Sequence, residues 1–178
     1  MDNSVAAAAK SGSDKMGFND MELSAIGEVA NITLGNAVTA LSGCLHPAAL
    51  EGALKLKEIS YVHAEGYHAA ELKHGPISLL DERHPVLALA NDIPGKDKII
   101  GNIQECRARK APVIAIVTQG ENQVRSMTQD VIEIPPCSRF IAPLPSVVAM
   151  QLFAYYVAIA RGCEVDQPRN LAKSVTVE

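Results

Sequence analysis

The sequence predicts an α/β fold, a three-layer parallel sheet with flanking helices. Three observations carry this. Residues 85–90 and 112–117 are continuous apolar runs, the pattern of strands buried on both faces. An amphipathic helical stretch at 97–109 stands between them, and a strongly apolar one at about 142–161 follows. Strands alternating with helices imply parallel strands joined by right-handed crossovers.

The elements follow in chain order. Residues 1–18 mix Ala, Ser, Gly, Asp and Lys without period and read as a disordered lead. Asn19 suits an N-cap, with Glu22 completing a capping box. Leu23, Ile26, Ala30, Leu34, Val38 and Leu41 then recur at helical spacing, so a helix is expected over 19–42, ended by Gly43. Pro47 fits the first turn of a second helix, running to about Gly66, with Leu50, Leu54 and Tyr61 as its apolar residues. A short polar helix follows and ends at Gly75-Pro76. Residues 131–134 give a third strand after those at 85–90 and 112–117. With three strands visible, the sheet is expected to be one strand short.

Composition narrows the function. The 178 residues carry a net charge of −4 and no Lys/Arg run, which excludes a general nucleic-acid or anionic-membrane surface. Residues 1–50 hold two Lys against five acids, and the remainder is close to balanced. The four cysteines, Cys44, Cys106, Cys137 and Cys163, are widely spaced, so reduced thiols are expected and zinc spacing is absent. No metal or cofactor is expected. No apolar run long enough to span a membrane is recognised, and the alanine tract after Val5 is too short and too weakly apolar for a signal segment, so a cytoplasmic protein is expected.

Three segments carry a resemblance: Glu51-Gly-Ala-Leu-Lys-Leu-Lys-Glu-Ile-Ser-Tyr61, Glu71-Leu-Lys-His-Gly-Pro76, and the aperiodic polar tail Asp166-Gln-Pro-Arg-Asn-Leu-Ala-Lys-Ser-Val-Thr-Val-Glu178. Together they resemble the C-terminal sugar isomerase (SIS) half of the glutamine–fructose-6-phosphate aminotransferases, from about residue 47 to 178. The resemblance implies a flavodoxin-like SIS lobe, incomplete at its start and preceded by an extra N-terminal helix at 19–46.

Lys55-Leu-Lys-Glu58 holds the principal candidate. Moving a proton between adjacent carbons of a sugar phosphate needs a base, and a carboxylate is suitable. Glu58 shares a helix face with Lys55 and Glu51, and a lysine there can hold an enolate oxygen. On spacing alone, Glu51 and Lys55 are equally a favourable pair on a solvated face. The resemblance implies that Glu58 is the proton-transfer base. It also implies that His74 assists ring opening in the neighbouring subunit's site, hence a homodimer binding a sugar phosphate. The tail is implied to fold over the sugar, with Ala172 and Lys173 at the substrate and Lys173 acting in ring opening. Without that kinship, His74 is a surface histidine beside a turn and Lys173 a solvated tail lysine. No counterpart of the family's glutaminase domain or of its phosphate-binding Ser/Thr loop is found, so weak or no turnover is expected.

Residues 21–42 carry a second resemblance, to the first helix of the CheC/CheX/FliY chemotaxis phosphatases. Ser24, Glu28 and Asn31 match that signature. Glu28 and Asn31 at i, i+3 would share a helix face and orient water on the phosphoaspartate of a response regulator. The same residues also suit an exposed polar face. The chain is thus expected to join two unrelated pieces near residues 46–47.

Overall fold

The computed structural model describes the backbone of residues 38–42 and all of residues 45–169. Its elements are β1 (Val38–Ser42), α1 (His46–Ser60), β2 (Ala64–His68), β3 (Val86–Ala90), α2 (Lys96–Ala108), β4 (Val113–Thr118), β5 (Val131–Ile134) and α3 (Pro143–Ala160). Two short 3-10 turns, Glu71–His74 and Pro76–Leu79, link β2 to β3. All strand pairs are parallel, in the order β2-β1-β3-β4-β5.

Strand alternation divides the core into two halves. Leu87, Leu89, Ile114 and Ile116 face α1 and α3, whereas Val86, Ala88, Val113, Ala115 and Val117 face α2. Both faces of β3 and β4 are therefore buried, which is why these strands read as unbroken apolar runs. Phe153, Met150 and Leu56 fill the α1/α3 half, and Ile99 and Ile103 fill the other.

Several expectations need correction. Among the described residues the sheet has five strands, so it is not one strand short. Val38–Ser42, expected as the last turns of a helix, forms the strand between β2 and β3, with Thr39 opposite both Glu65 and Val86. A β-branched pair, Val38-Thr39, suits a strand, and the central place in the sheet overrides the helical period. The rest of that expected helix lies outside the described residues.

The helix at Pro47 ends at Ser60, well before Gly66. Tyr61 takes the left-handed conformation (φ 56°) and its N–H donates to the Leu56 carbonyl, so the chain turns out of the helix there. Ala64–His68 then runs beside β1 as the edge strand. Gly66 is needed for close approach: a Cβ there would lie 2.9 Å from the Leu50 nitrogen and 3.0 Å from the Ala49 carbonyl carbon.

The buried face of α1 also differs from expectation. Ala48, Ala49, Gly52, Ala53 and Leu56 are buried, while Leu50 and Leu54 remain 49% and 42% exposed. Small residues let α1 lie close to α3, where Met150 occupies the space over Gly52. Finally, α3 is an 18-residue helix apolar enough by composition to cross a membrane, contrary to the reading that no such run exists. Ala149, Met150, Phe153, Ala154 and Val157 are buried against α1 and the sheet, which accounts for its hydropathy as that of a core helix.

Candidate active site

The stripe expected on α1 is formed. Lys55 Nζ lies 2.7 Å from Glu58 Oε2 and 3.8 Å from Glu51 Oε1, so one ammonium bridges two carboxylates along the outer face. The hydrogen bond to Glu58 raises the Lys55 pKa, and the Glu58 and Glu51 charges raise it further against partial desolvation. Lys55 is therefore held as a cation. The Glu58 side chain is 22% exposed, sheltered but open to a ligand. On α3, Gln151 Nε2 donates to Glu51 Oε1 at 3.3 Å and ties the stripe to the neighbouring helix.

The end of α1 gathers further groups that sequence reasoning missed. Cys163 Sγ donates to the Ser60 carbonyl at 3.8 Å, which brings the chain after α3 back to this point. The Arg169 guanidinium stacks on the Tyr61 ring, and its backbone N–H donates to the Tyr61 hydroxyl. These partners are 108 and 103 residues apart in the sequence, so no local pattern could have paired them.

His74 is placed apart from Glu58. It is exposed on the 3-10 turn that follows β2. The last turn of α1, with Glu58, lies on one face of the sheet, whereas the His74 turn packs on the other, through buried Leu72 and the Lys73–Glu105 ion pair to α2. No hydrogen bond or ion pair joins the two among the described residues. Ala172 and Lys173, like Ser24, Glu28 and Asn31, lie outside the described residues.

A single parallel sheet in this order, covered by helices on both faces, defines an α/β lobe of the flavodoxin-like type. The chain belongs to the SIS domain family, which it matches over residues 38–161. It is 52% identical over 168 residues to the glutamine–fructose-6-phosphate aminotransferase (isomerising) of Chlorobaculum tepidum, covering 93% of this chain and 27% of that protein. The Thermus thermophilus protein of the same name is 58% identical over 132 residues, covering 74% of this chain and 22% of its own length. Among solved structures, the C-terminal domain of glucosamine-fructose-6-phosphate aminotransferase from Francisella tularensis superposes with a TM-score of 0.72 at 32% identity. That superposition covers 91% of this chain and 43% of that one. The chain thus spans about a quarter of the length of the curated relatives it matches. Residues 21–45 match the CheC-like family over a short stretch that overlaps the SIS match by eight residues, 38–45.

Proposed function

We propose that this chain is the sugar-isomerising part of a glutamine–fructose-6-phosphate aminotransferase, acting on fructose 6-phosphate and glucosamine 6-phosphate in the cytoplasm. The observation that carries this reading is the Lys55–Glu58 pair at 2.7 Å on an open helix face, within a chain of SIS kinship. The Glu58 carboxylate removes a proton from one sugar carbon, the electrons pass to the neighbouring carbonyl oxygen, and the proton returns at the adjacent carbon. The Lys55 ammonium is the nearest cation for the enediolate oxygen formed between these steps. His74 and Lys173 handle the protons of ring opening, with Ala172 beside the sugar.

The separation of His74 from Glu58 across the sheet supports a homodimer in which each His74 serves the partner's site. Exposed Leu50 and Leu54 on α1, with Leu144 and Val148 on the adjacent α3, supply an apolar face for such an association. The decisive test compares fructose 6-phosphate isomerisation by wild type and Glu58→Gln. Weak turnover that Glu58→Gln abolishes is expected, since orientation supplies much of the rate and further lobes of the relatives lie outside this chain. Equal rates would remove the catalytic assignment, and ligand binding without turnover would leave a non-catalytic sugar-phosphate-binding module.

The CheC-like match over 21–45 favours a second reading, in which Ser24, Glu28 and Asn31 promote dephosphorylation of a response regulator. An unchanged phosphoreceiver lifetime on adding the protein would dismiss it.

A further inference from the structure

β1 is held in the sheet less firmly than its central place implies. Three register pairs join it to β3, Thr39 with Val86, Ala40 with Leu87 and Leu41 with Ala88, whereas five join β3 to β4. Its other neighbour, β2, is an edge strand with no second partner among the described strands. β1 is also the most polar of the inner strands. Thr39 and Ser42 interrupt it, while Val86–Ala90 is apolar throughout and β4 is apolar up to Thr118.

The same residues carry a conflicting pattern. Leu23, Ile26, Ala30, Leu34, Val38 and Leu41 recur at intervals of three and four, which is one apolar stripe along five turns of helix. Val38 and Leu41 complete that stripe as a helix; in a strand, positions three apart fall on opposite faces. Helix and strand therefore compete for residues 38–42, and two family matches overlap over 38–45. Local preference and global placement agree along most of a natural chain, and a conflict between them marks a functional or strained segment.

The sequence also supplies a hinge. Gly35-Asn36 interrupts the stripe, and Gly and Asn are the residues that most often stop a helix. β1 begins two residues later, at Val38. A helix that stops at this pair leaves Val38–Ser42 free to enter the sheet. One that runs through the pair withdraws them.

We propose that Val38–Ser42 is a two-state segment hinged at Gly35-Asn36, a strand between β2 and β3 in one state and the last turn of a helix continuing from residue 23 in the other. Withdrawal parts three register pairs with β3 and releases β2. α1 keeps its contact with α3, where Met150 lies over Gly52, and β3-β4-β5 stays paired. The side of the lobe that opens is thus β2-β1 alone. The switch requires neither the Glu58 chemistry nor a phosphatase role for residues 24–31.

NMR on the full chain tests it, with carbon-13 saturation transfer at the Thr39, Ala40 and Leu41 Cα atoms and amide exchange at the β2 groups bonded to β1. The minor state should carry helical Cα shifts. Replacing both hinge residues, Gly35→Ala with Asn36→Ala, favours a continuous helix; it should raise that state and speed β2 exchange about ten-fold, leaving Ile116 in β4 unchanged. Asn36→Pro, which a helix interior does not accept, should abolish the helical state and slow β2 exchange several-fold. Should the double variant fail to fold, the wild-type shifts and Asn36→Pro still decide. Random-coil shifts in the minor state would mean plain fraying and would overturn the proposal. No helical state in either wild type or the double variant, β2 exchange indifferent to the hinge, or equal acceleration at Ile116 would overturn it as well. Since the readout is the conformation of β1 and β2, a silent isomerase assay would not bear on it.

Discussion

Arg169 lies over the ring of Tyr61, its guanidinium carbon 4.1 Å from the ring centroid, and its backbone N–H donates to the Tyr61 hydroxyl at 3.0 Å. Tyr61 is the residue that ends α1, three positions after Glu58. The contact therefore pins residue 169 to the end of α1.

Loosening this anchor should expose the Arg169–Asn170 bond to trypsin. The stacking and the hydrogen bond are together worth about 1 kcal/mol in an exposed setting. Tyr61→Leu should then speed cleavage after Arg169 roughly five-fold. Tyr61→Phe, which keeps the stacking and loses the hydroxyl, should fall between. Identical cleavage rates in all three proteins would show that the anchor contributes nothing.

Gly66 and Gly52 make different demands on the packing of α1. A Cβ at Gly66 would press on the α1 backbone at Leu50 and Ala49, which cannot yield. At Gly52 the nearest atom, 1.9 Å away, is the mobile end of Met150, although Met150 Cβ lies at 2.9 Å. Overpacking of this kind costs about 1–3 kcal/mol. Gly66→Ala should sit at the upper end and Gly52→Ala below it, as read by urea midpoints. The reverse order would mean that β2 shifts more readily than Met150.

Cys106 gives a pH dependence of known sign. Burial pushes its thiol up to about 11, whereas an unfolded cysteine ionises near 8.5. Its contribution is fully present below pH ~8.5 and declines as pH rises, by about 1.4 kcal/mol per unit, until the folded group ionises near 11. The stability difference between wild type and Cys106→Ala should narrow across that window. At pH 8, exposed Cys137 should alkylate with iodoacetamide while Cys106 stays unmodified. Comparable labelling of both would refute its burial.

Much of the sheet could be read from residues alone because burial on both faces leaves an unmistakable signal. Leu87 and Ala88, or Ile114 and Ala115, point to opposite sides yet are all apolar. β2 carried no such signal. Its Glu65, Gly66 and Tyr67 lie on an edge strand with one partner, and Gly66 is there for close approach to α1. β1 was hidden by a helical period that tertiary position overrode. The face of α1 was misjudged because its contact with α3 uses Ala48, Ala49, Gly52 and Ala53, which a hydrophobicity pattern scores below the exposed Leu50 and Leu54. At the site, the Lys55–Glu58 pair was legible because its partners lie one helical turn apart, whereas Arg169 and Tyr61 met only through the path of the chain after α3.

The proton-transfer role of Glu58 is most directly tested by incubating glucosamine 6-phosphate with the protein in deuterium oxide and following the hydrogen at C2 by proton NMR. This detects abstraction even where net turnover is slow. Wild type should exchange that hydrogen for deuterium above the solvent rate, with Lys55→Met reduced at least ten-fold and Glu58→Gln at the solvent rate. Exchange by Glu58→Gln equal to that of wild type would contradict the assignment of Glu58 as the base.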